Sequence, residues 1–493
     1  MRQDKFWFAA GGFLVRFAMV LCRTICLVCI LCAVAATSST AKTTFATLVV
    51  FDGADGARPI SVSLVQGLNG KLYGTTAGGG AHGGGTVFTI TPAGTLTRIY
   101  SFCRQTNCAD GSSPAAGIVL ATNGTFYGTT EAGGATHFGT VFKITPAGAL
   151  TTLYSFAGPD GDFPSAGLVQ GADGNFYGTT QAGGANDKGT VFKITPAGTL
   201  TTLHSFDGTD GEAPVAGLLQ ATDGNFYGTA AAGGANSACD GTTCGTVFKI
   251  TLVGTLTTLY NFCSQTNCTD GDAPFAGLVQ GTDGNFYGTT SAGGSGNCPG
   301  VGCGTVFKIT PAGVLTTLHS FDGTDGAYPF AVLVQATDGK LYGTTQLGGT
   351  NDKGTIFKIT RAGTLMTLHN LGGGSGKEPC GGLAQATNGT FYGTTSYGNG
   401  ARNDGTVFSL SVGLGPFVET LPTSGKVGAK VVILGNNLKG TTSVTFNGAA
   451  ATFTVASSTE IKTSVPSGAT TGFVTVTTPK KTLKSNVVFR VTK

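Results

Sequence analysis

The chain has 493 residues, of which 82 are Gly, one is Trp and only 11% are charged. That length admits two to four domains. So little charge excludes a set of ordinary solvated helices and favours many short strands joined by tight turns. Of the formal charge of +4, residues 1–41 hold +3 (Arg2, Lys5, Arg16 and Arg23 against Asp4), leaving +1 for the rest. With no basic stripe, the chain is not expected to bind nucleic acid.

In chain order, the first element is an apolar run of twelve residues, 25–36, behind Arg16 and Arg23. It is too short to span a bilayer and suits the core of a secretory signal. Small residues at 33–35 and 39–41 offer cleavage sites, so residues 1–41 are assigned to a signal peptide, with Met19 as an alternative start. A lipid-modified Cys is rejected, because large residues precede Cys22, Cys26, Cys29 and Cys32. The expectation is an exported monomer of the periplasm, cell surface or extracellular space, with no membrane span in the mature chain.

Residues 44–411 are dominated by a repeat. Tyr-Gly-Thr recurs at Tyr73, Tyr127, Tyr177, Tyr227, Tyr287, Tyr342 and Tyr392, spaced by 54, 50, 50, 60, 55 and 50 residues. A Pro marks the same phase each time: Pro59, Pro114, Pro164, Pro214, Pro274, Pro329 and Pro379. Each unit holds four apolar segments, A to D, as in Gly167–Gln170, Asn175–Thr180, Gly189–Ile194 and Thr201–Phe206. Between them lie turn residues, with Gly and Asn supplying positive φ and Pro presetting a bend. Four hairpin-linked strands repeated at this period predict a seven-bladed β-propeller. The chain opens at 44–51 on a segment matching D, and the last unit ends at segment C, Val407–Leu410. The N-terminal strand is therefore expected to complete the last blade, closing the ring and removing an open sheet edge.

Every departure from a spacing of fifty is a C-x₄-C insert: Cys103/Cys108, Cys239/Cys244, Cys263/Cys268 and Cys298/Cys303. Local pairs in an exported protein read as disulfides. Metal binding is the weaker reading, because the pairs lie in different repeats without His at ligand spacing. Cys380 is left over, a buried free thiol by default.

Alternating strand direction puts the D–A and B–C loops on one face, which is the expected ligand face. It carries Asp52, Asp55, Asp110, Asp160, Asp162, Asp207, Asp210, Glu212, Asp270, Asp272, Asp322 and Asp325. Clustered carboxylates suit Ca²⁺ or sugar hydroxyls, yet Asp-Gly is also simply a favourable turn, and that structural reading is preferred. His204, His319 and His369 alternate with Tyr100, Tyr154 and Tyr260 at one repeat position, which marks a half-buried strand site. His82 and His137 lie in B–C loops and are the better candidates for a ligand or metal. Lys143, Lys193, Lys249, Lys308 and Lys358 recur in segment C and are read as covering an edge. There is no G-x-S-x-G, H-E-x-x-H or P-loop, so no catalytic residue is assigned.

The string "GLVQGTDGNFYGTTSAGG…GTVFKITPAGTLTTLHSFDGTDG" closely resembles the GloVer tandem repeat of exported bacterial proteins, over about 44–411, and is distantly similar to NHL and kelch propellers in strand order. After a linker at 412–415, residues 416–493 resemble the IPT/TIG domain, an immunoglobulin-like β-sandwich, through "PTSGKVGAKVVILGNNLKGTTSVTFNGAAATF" and "SSTEIKTSVPSGATTGFVTVTTP". Short alternating strands with turns at Gly425, Asn447-Gly448 and Gly468 agree with a sandwich. The expected function is a non-enzymatic, exported binding or scaffold protein of the cell envelope, with polysaccharide or an envelope protein as partner and no cofactor unless Ca²⁺. A carbohydrate-active enzyme (lyase or hydrolase) and a Ca²⁺-dependent adhesin are the alternatives.

Overall fold

In the computed structural model, residues 43–236, 244–296, 298, 302–398 and 403–492 are described. The fold is all-β and propeller-like. Among the described residues, the repeats form seven four-stranded antiparallel sheets, numbered 1 to 7 here, with strands in the order A-B-C-D. Sheet 3 is typical, with strands Val169–Gln170, Phe176–Thr180, Thr190–Ile194 and Leu200–Ser205.

Strand A is shorter than the sequence suggests, with only two residues in the ladder. The preceding stretch spends its carbonyls on the neighbouring sheet instead. Ala166 O accepts from Thr129 Oγ1 of sheet 2 at 2.8 Å, and Ala216 O from Thr179 Oγ1 of sheet 3 at 3.0 Å. Buried backbone acceptors need partners, and the strand-B Thr supplies them across the gap.

The Phe-Tyr-Gly-Thr string explains how the sheets pack. Tyr127 stacks on Phe176 at 3.9 Å, Tyr177 meets Phe226 at 4.1 Å, and Tyr227 meets Phe286 at 4.1 Å, each time one sheet against the next. Such pairs add roughly 0.5–1.5 kcal/mol beyond the area they bury. The Gly between Tyr and Thr leaves room for the same contact layer. A Cβ on Gly178 would stand 2.7 Å from Phe192 and 2.8 Å from Leu168.

The first strand, Thr44–Val50, lies in sheet 7 as its outer member. It pairs with the strand Thr406–Ser411, from Thr44 opposite Ser411 to Val50 opposite Thr406. Sheet 7 also bonds to sheet 1: Gln66 Nε2 donates to Thr387 Oγ1 at 3.0 Å and Thr394 Oγ1 to Pro59 O at 3.3 Å.

A second network links the A–B turns. The Gln that ends strand A accepts from a turn N–H of the preceding sheet: Gln170 from Thr122, Gln220 from Ala172, Gln280 from Thr222, Gln335 from Thr282 and Gln385 from Thr337, at 2.9–3.3 Å. Gln66 does the same to Thr387 at 2.8 Å. Sheet 2 breaks the pattern, with Leu120 in place of Gln and Leu68 in the turn it would reach.

Beyond residue 415 the chain forms two further four-stranded sheets and a parallel pair, Ser424–Lys426 with Arg490–Thr492. Val431, Ile433, Val444, Phe446, Val474, Val476 and Phe489 fill the space between, all at most 1% exposed. This region packs on the A–B turns of the repeats. Leu421 and Leu434 join the cluster containing Leu68 and Leu120, so the one sheet junction without a Gln bridge is an apolar seat. Thr459 Oγ1 donates to Leu68 O at 2.6 Å, the Phe417 N–H to Thr387 O at 3.0 Å, and Arg490 Nη1 to Thr222 O.

Candidate functional site

Five of the loop carboxylates are turned toward strand-D side chains. Asp110 Oδ2 accepts from Tyr100 Oη at 2.8 Å, and Asp270 from Tyr260 at 2.7 Å; both Asp are fully buried. Asp210 and Asp325 meet His204 and His319 Nε2, each at 2.6 Å, and Asp160 meets Tyr154. The Tyr/His alternation of strand D is thus a set of equivalent supports for the D–A loop. Their second oxygens cap backbone N–H groups, as Asp160 Oδ1 does for Ala157 at 2.8 Å. Burial and these carboxylates push the phenols of Tyr154 and Tyr260 up to about 12.

Asp52, Asp207 and Asp322 make Asx turns, with Oδ1 accepting from the N–H two residues on at 2.8 Å. The Thr209 and Thr324 hydroxyls hold Asp207 and Asp322 below the usual carboxylate range. Asp55 accepts from the Asp52 N–H at 3.1 Å. Asp162 and Asp272 occupy the next position, where burial raises both carboxyls. Glu212, their counterpart, pairs with Lys188 at 2.7 Å.

His369 lacks an Asp partner because Ser375 stands at the equivalent loop position. Its ring stacks on Phe45 at 3.9 Å, and burial lowers its pKa. His82 and His137 are exposed, and neither belongs to a metal-binding cluster among the described residues.

Three of the expected Cys pairs are disulfides: Cys103–Cys108, Cys263–Cys268 and Cys298–Cys303. Cys239 lies outside the described residues, and Cys244 is disulfide-bonded. The sulfurs of Cys244, Cys263 and Cys268 lie within 4.8 Å of one another.

On the face of the D–A and B–C loops, a pocket of about 370 Å³ opens where the seven sheets converge. None of the loop Asp residues lines it. Its wall comes from two repeat positions. The residue after the Pro is Ala115, Ser165, Val215, Phe275, Phe330 and Cys380 in sheets 2 to 7, with Ile60 and Ser61 in sheet 1. The residue closing strand B contributes Glu131, Gln181 and Gln346. The strands are nearly uniform, yet these two positions hold different side chains from sheet to sheet, which is the signal that sequence reading passed over.

The pocket is therefore two-sided. Phe275 and Phe330 lie 5.2 Å apart at 59° on one side, and Phe275 is 38% exposed. On the other, Ser165 Oγ donates to Gln181 Oε1 at 3.3 Å, and Glu131 stands nearby. Burial pushes the Glu131 carboxyl up, opposed by the Ser165 hydroxyl and by the Arg58 charge. Burial also pushes the Cys380 thiol up. Glu131 is the only carboxylate among the lining residues.

The Gloeobacter/Verrucomicrobia repeat family matches at residues 35–243, 100–300 and 238–456, together most of the chain. The chain belongs to this family. Membership covers the sheets that build the pocket. No curated protein matches the chain. Among solved structures it is similar to the extracellular domain of the hybrid two-component system BT3049 of B. thetaiotaomicron, with 12% identity and a TM-score of 0.48, over 87% of this chain and 52% of that one. It is also similar to the extracellular domain of BT4673 from the same organism, with 12% identity and a TM-score of 0.47, over 80% and 46%. A third is the periplasmic gluconolactonase PpgL of Pseudomonas aeruginosa, with 15% identity and a TM-score of 0.44, over 80% and 99%. The chain spans about half the length of those two extracellular domains. No helix among the described residues is long and apolar enough to cross a membrane.

Proposed function

We propose that this protein is an exported, non-catalytic carbohydrate-binding protein. Its seven sheets form a seven-bladed ring latched by the strand Thr44–Val50, and residues 416–493 form an immunoglobulin-like domain of the IPT/TIG kind. The observation that carries the reading is the pocket wall, where all seven sheets meet and the residue after the repeat Pro takes six different identities. Different side chains at one inward position make one asymmetric site from near-identical units.

The chemistry of the wall suits a sugar. Phe275 and Phe330 offer an aromatic surface to the C–H face of a pyranose. Glu131, Gln181, Gln346 and Ser165 offer hydroxyl-scale hydrogen-bonding groups, mostly neutral, in the apolar-with-a-few-polar pattern of small-ligand sites. Hydrolysis of a glycoside ordinarily uses two carboxyl groups, and one lines this pocket, which favours binding over turnover. The local disulfides fit an oxidising compartment.

A glycan array probed with and without Ca²⁺ tests this. Saturable binding that Phe275→Ala and Glu131→Gln weaken, whether or not Ca²⁺ is added, is the expected result. Binding that needs Ca²⁺ and ignores both substitutions would return the site to the loop carboxylates. Release of reducing sugar during the assay would make the protein an enzyme.

A further inference from the structure

The pocket opens on the face of the D–A and B–C loops, and the other end of the ring is occupied. The C-terminal region touches Leu68 in sheet 1 and Thr387 in sheet 7 through Thr459 and Phe417. Its Arg490 reaches the Thr222 carbonyl in sheet 4. In a ring of seven, sheet 4 faces the junction of sheets 7 and 1. A body bonded to both sides must therefore cross the axis. Leu421 and Leu434 fix it on the Leu68/Leu120 seat, and Leu434 is 1% exposed there.

From this we infer that the axial pocket is a blind well that accepts the end of a glycan chain and excludes its interior. This rests on the carbohydrate reading above. A polymer threading a ring needs two open mouths, and a polymer lying across a face needs a groove. Here the sheets converge on one opening of about 370 Å³, and the C-terminal region lies across the other end of the axis. That is near the lower limit of small-molecule pockets, space for roughly two sugar rings. The Phe275/Phe330 side takes the apolar face of the terminal unit. Glu131 and Gln181, opposite, read hydroxyls present on a chain end and replaced by linkages within the chain.

The test is calorimetric titration of the full chain with linear oligosaccharides of two to eight units from cellulose, xylan, laminarin and starch. The expected result is one series that binds with one oligosaccharide per protein at every length. Its affinity should stop rising after two or three units, and Phe330→Ala should weaken it by tenfold or more. A protein-to-oligosaccharide ratio that climbs above one as chains lengthen overturns end recognition while leaving the carbohydrate site standing. Heat that Phe330→Ala and Glu131→Gln leave unchanged, or no heat with any series, overturns the carbohydrate reading and this inference with it.

Discussion

The two ends of the seven sheets depart from the repeat in different ways. In the pocket wall, single side chains change at one backbone position: Ala115, Ser165, Val215, Phe275, Phe330 and Cys380 follow the same Pro in successive sheets. On the opposite face, a matched pair changes together. Leu68 and Leu120 replace a turn residue and the Gln that would bridge to it, and an apolar seat appears where six other junctions carry hydrogen bonds. A repeat can thus be specialised by varying what a common frame displays, or by removing one bond of the frame and filling the gap. The first costs little stability, because mouth positions bury little area. The second commits the frame itself.

The sharpest test of the frame removes residues 44–50. Sheet 7 would lose its whole outer strand, from Thr44 opposite Ser411 to Val50 opposite Thr406. Urea denaturation should show a loss of at least ~4 kcal/mol, in the range reserved for broken networks, and a broader transition. An unchanged curve would mean that the strand is an ornament.

Next is the seat. Leu434→Ala should cost ~3 kcal/mol, as usual for a fully buried Leu, and should expose the 412–415 connection to limited proteolysis. Without that exposure, the apolar contact does not hold the C-terminal region in place. Gly178→Ala puts a methyl 2.7 Å from Phe192. Overpacking of this kind costs ~2 kcal/mol; the same substitution at Gly174, where an added methyl meets nothing within 4 Å but φ is +82°, carries only the backbone strain and should cost less.

Glu419 gives the comparison a pH axis. It lies in the strand that also carries Leu421, and burial pushes its carboxyl up to about 7 from an ordinary 4.5. Below pH 4.5 both folded and unfolded chains hold the proton, and the fold bears no penalty. Between about 4.5 and 7 the unfolded chain ionises first, so stability falls as pH rises, by roughly 3 kcal/mol in all. Glu419→Gln should abolish that slope. If the slope persists, another group titrates.

The smallest effect on stability belongs to the mouth. Phe275→Ala should leave the denaturation midpoint within about 0.5 kcal/mol, as for exposed positions generally, while lowering glycan affinity about tenfold. A large loss of stability would assign Phe275 to the frame.

The strands were legible because they are written seven times. The Tyr-Gly-Thr spacing and the four apolar segments locate the sheets, and a D-like segment at 44–51 without a counterpart after 411 points to the first strand joining the last sheet, where Thr44 lies opposite Ser411. The short strand A was not legible, because its apolar pattern is the same whether its carbonyls serve a ladder or the Thr of a neighbour. The pocket was passed over. Asp residues stand out in a weakly charged sequence, but Asp110 and Asp270 turn out fully buried against Tyr100 and Tyr260. The pocket residues are ordinary by type, and only lining up the repeats on Pro and on Thr-Thr shows how much they differ.

Completing the last sheet with the first strand also sets an orientation. Strand Thr44–Val50 starts, and strand Thr406–Ser411 ends, on the side of the A–B and C–D turns. Had sheet 7 carried an outer strand of its own, the chain would have left beside the pocket, and the C-terminal region would have crowded the opening. With the latch borrowed from the other end, both leads of the ring emerge together on the far side. Held by either lead, the molecule turns its open mouth away from whatever holds it.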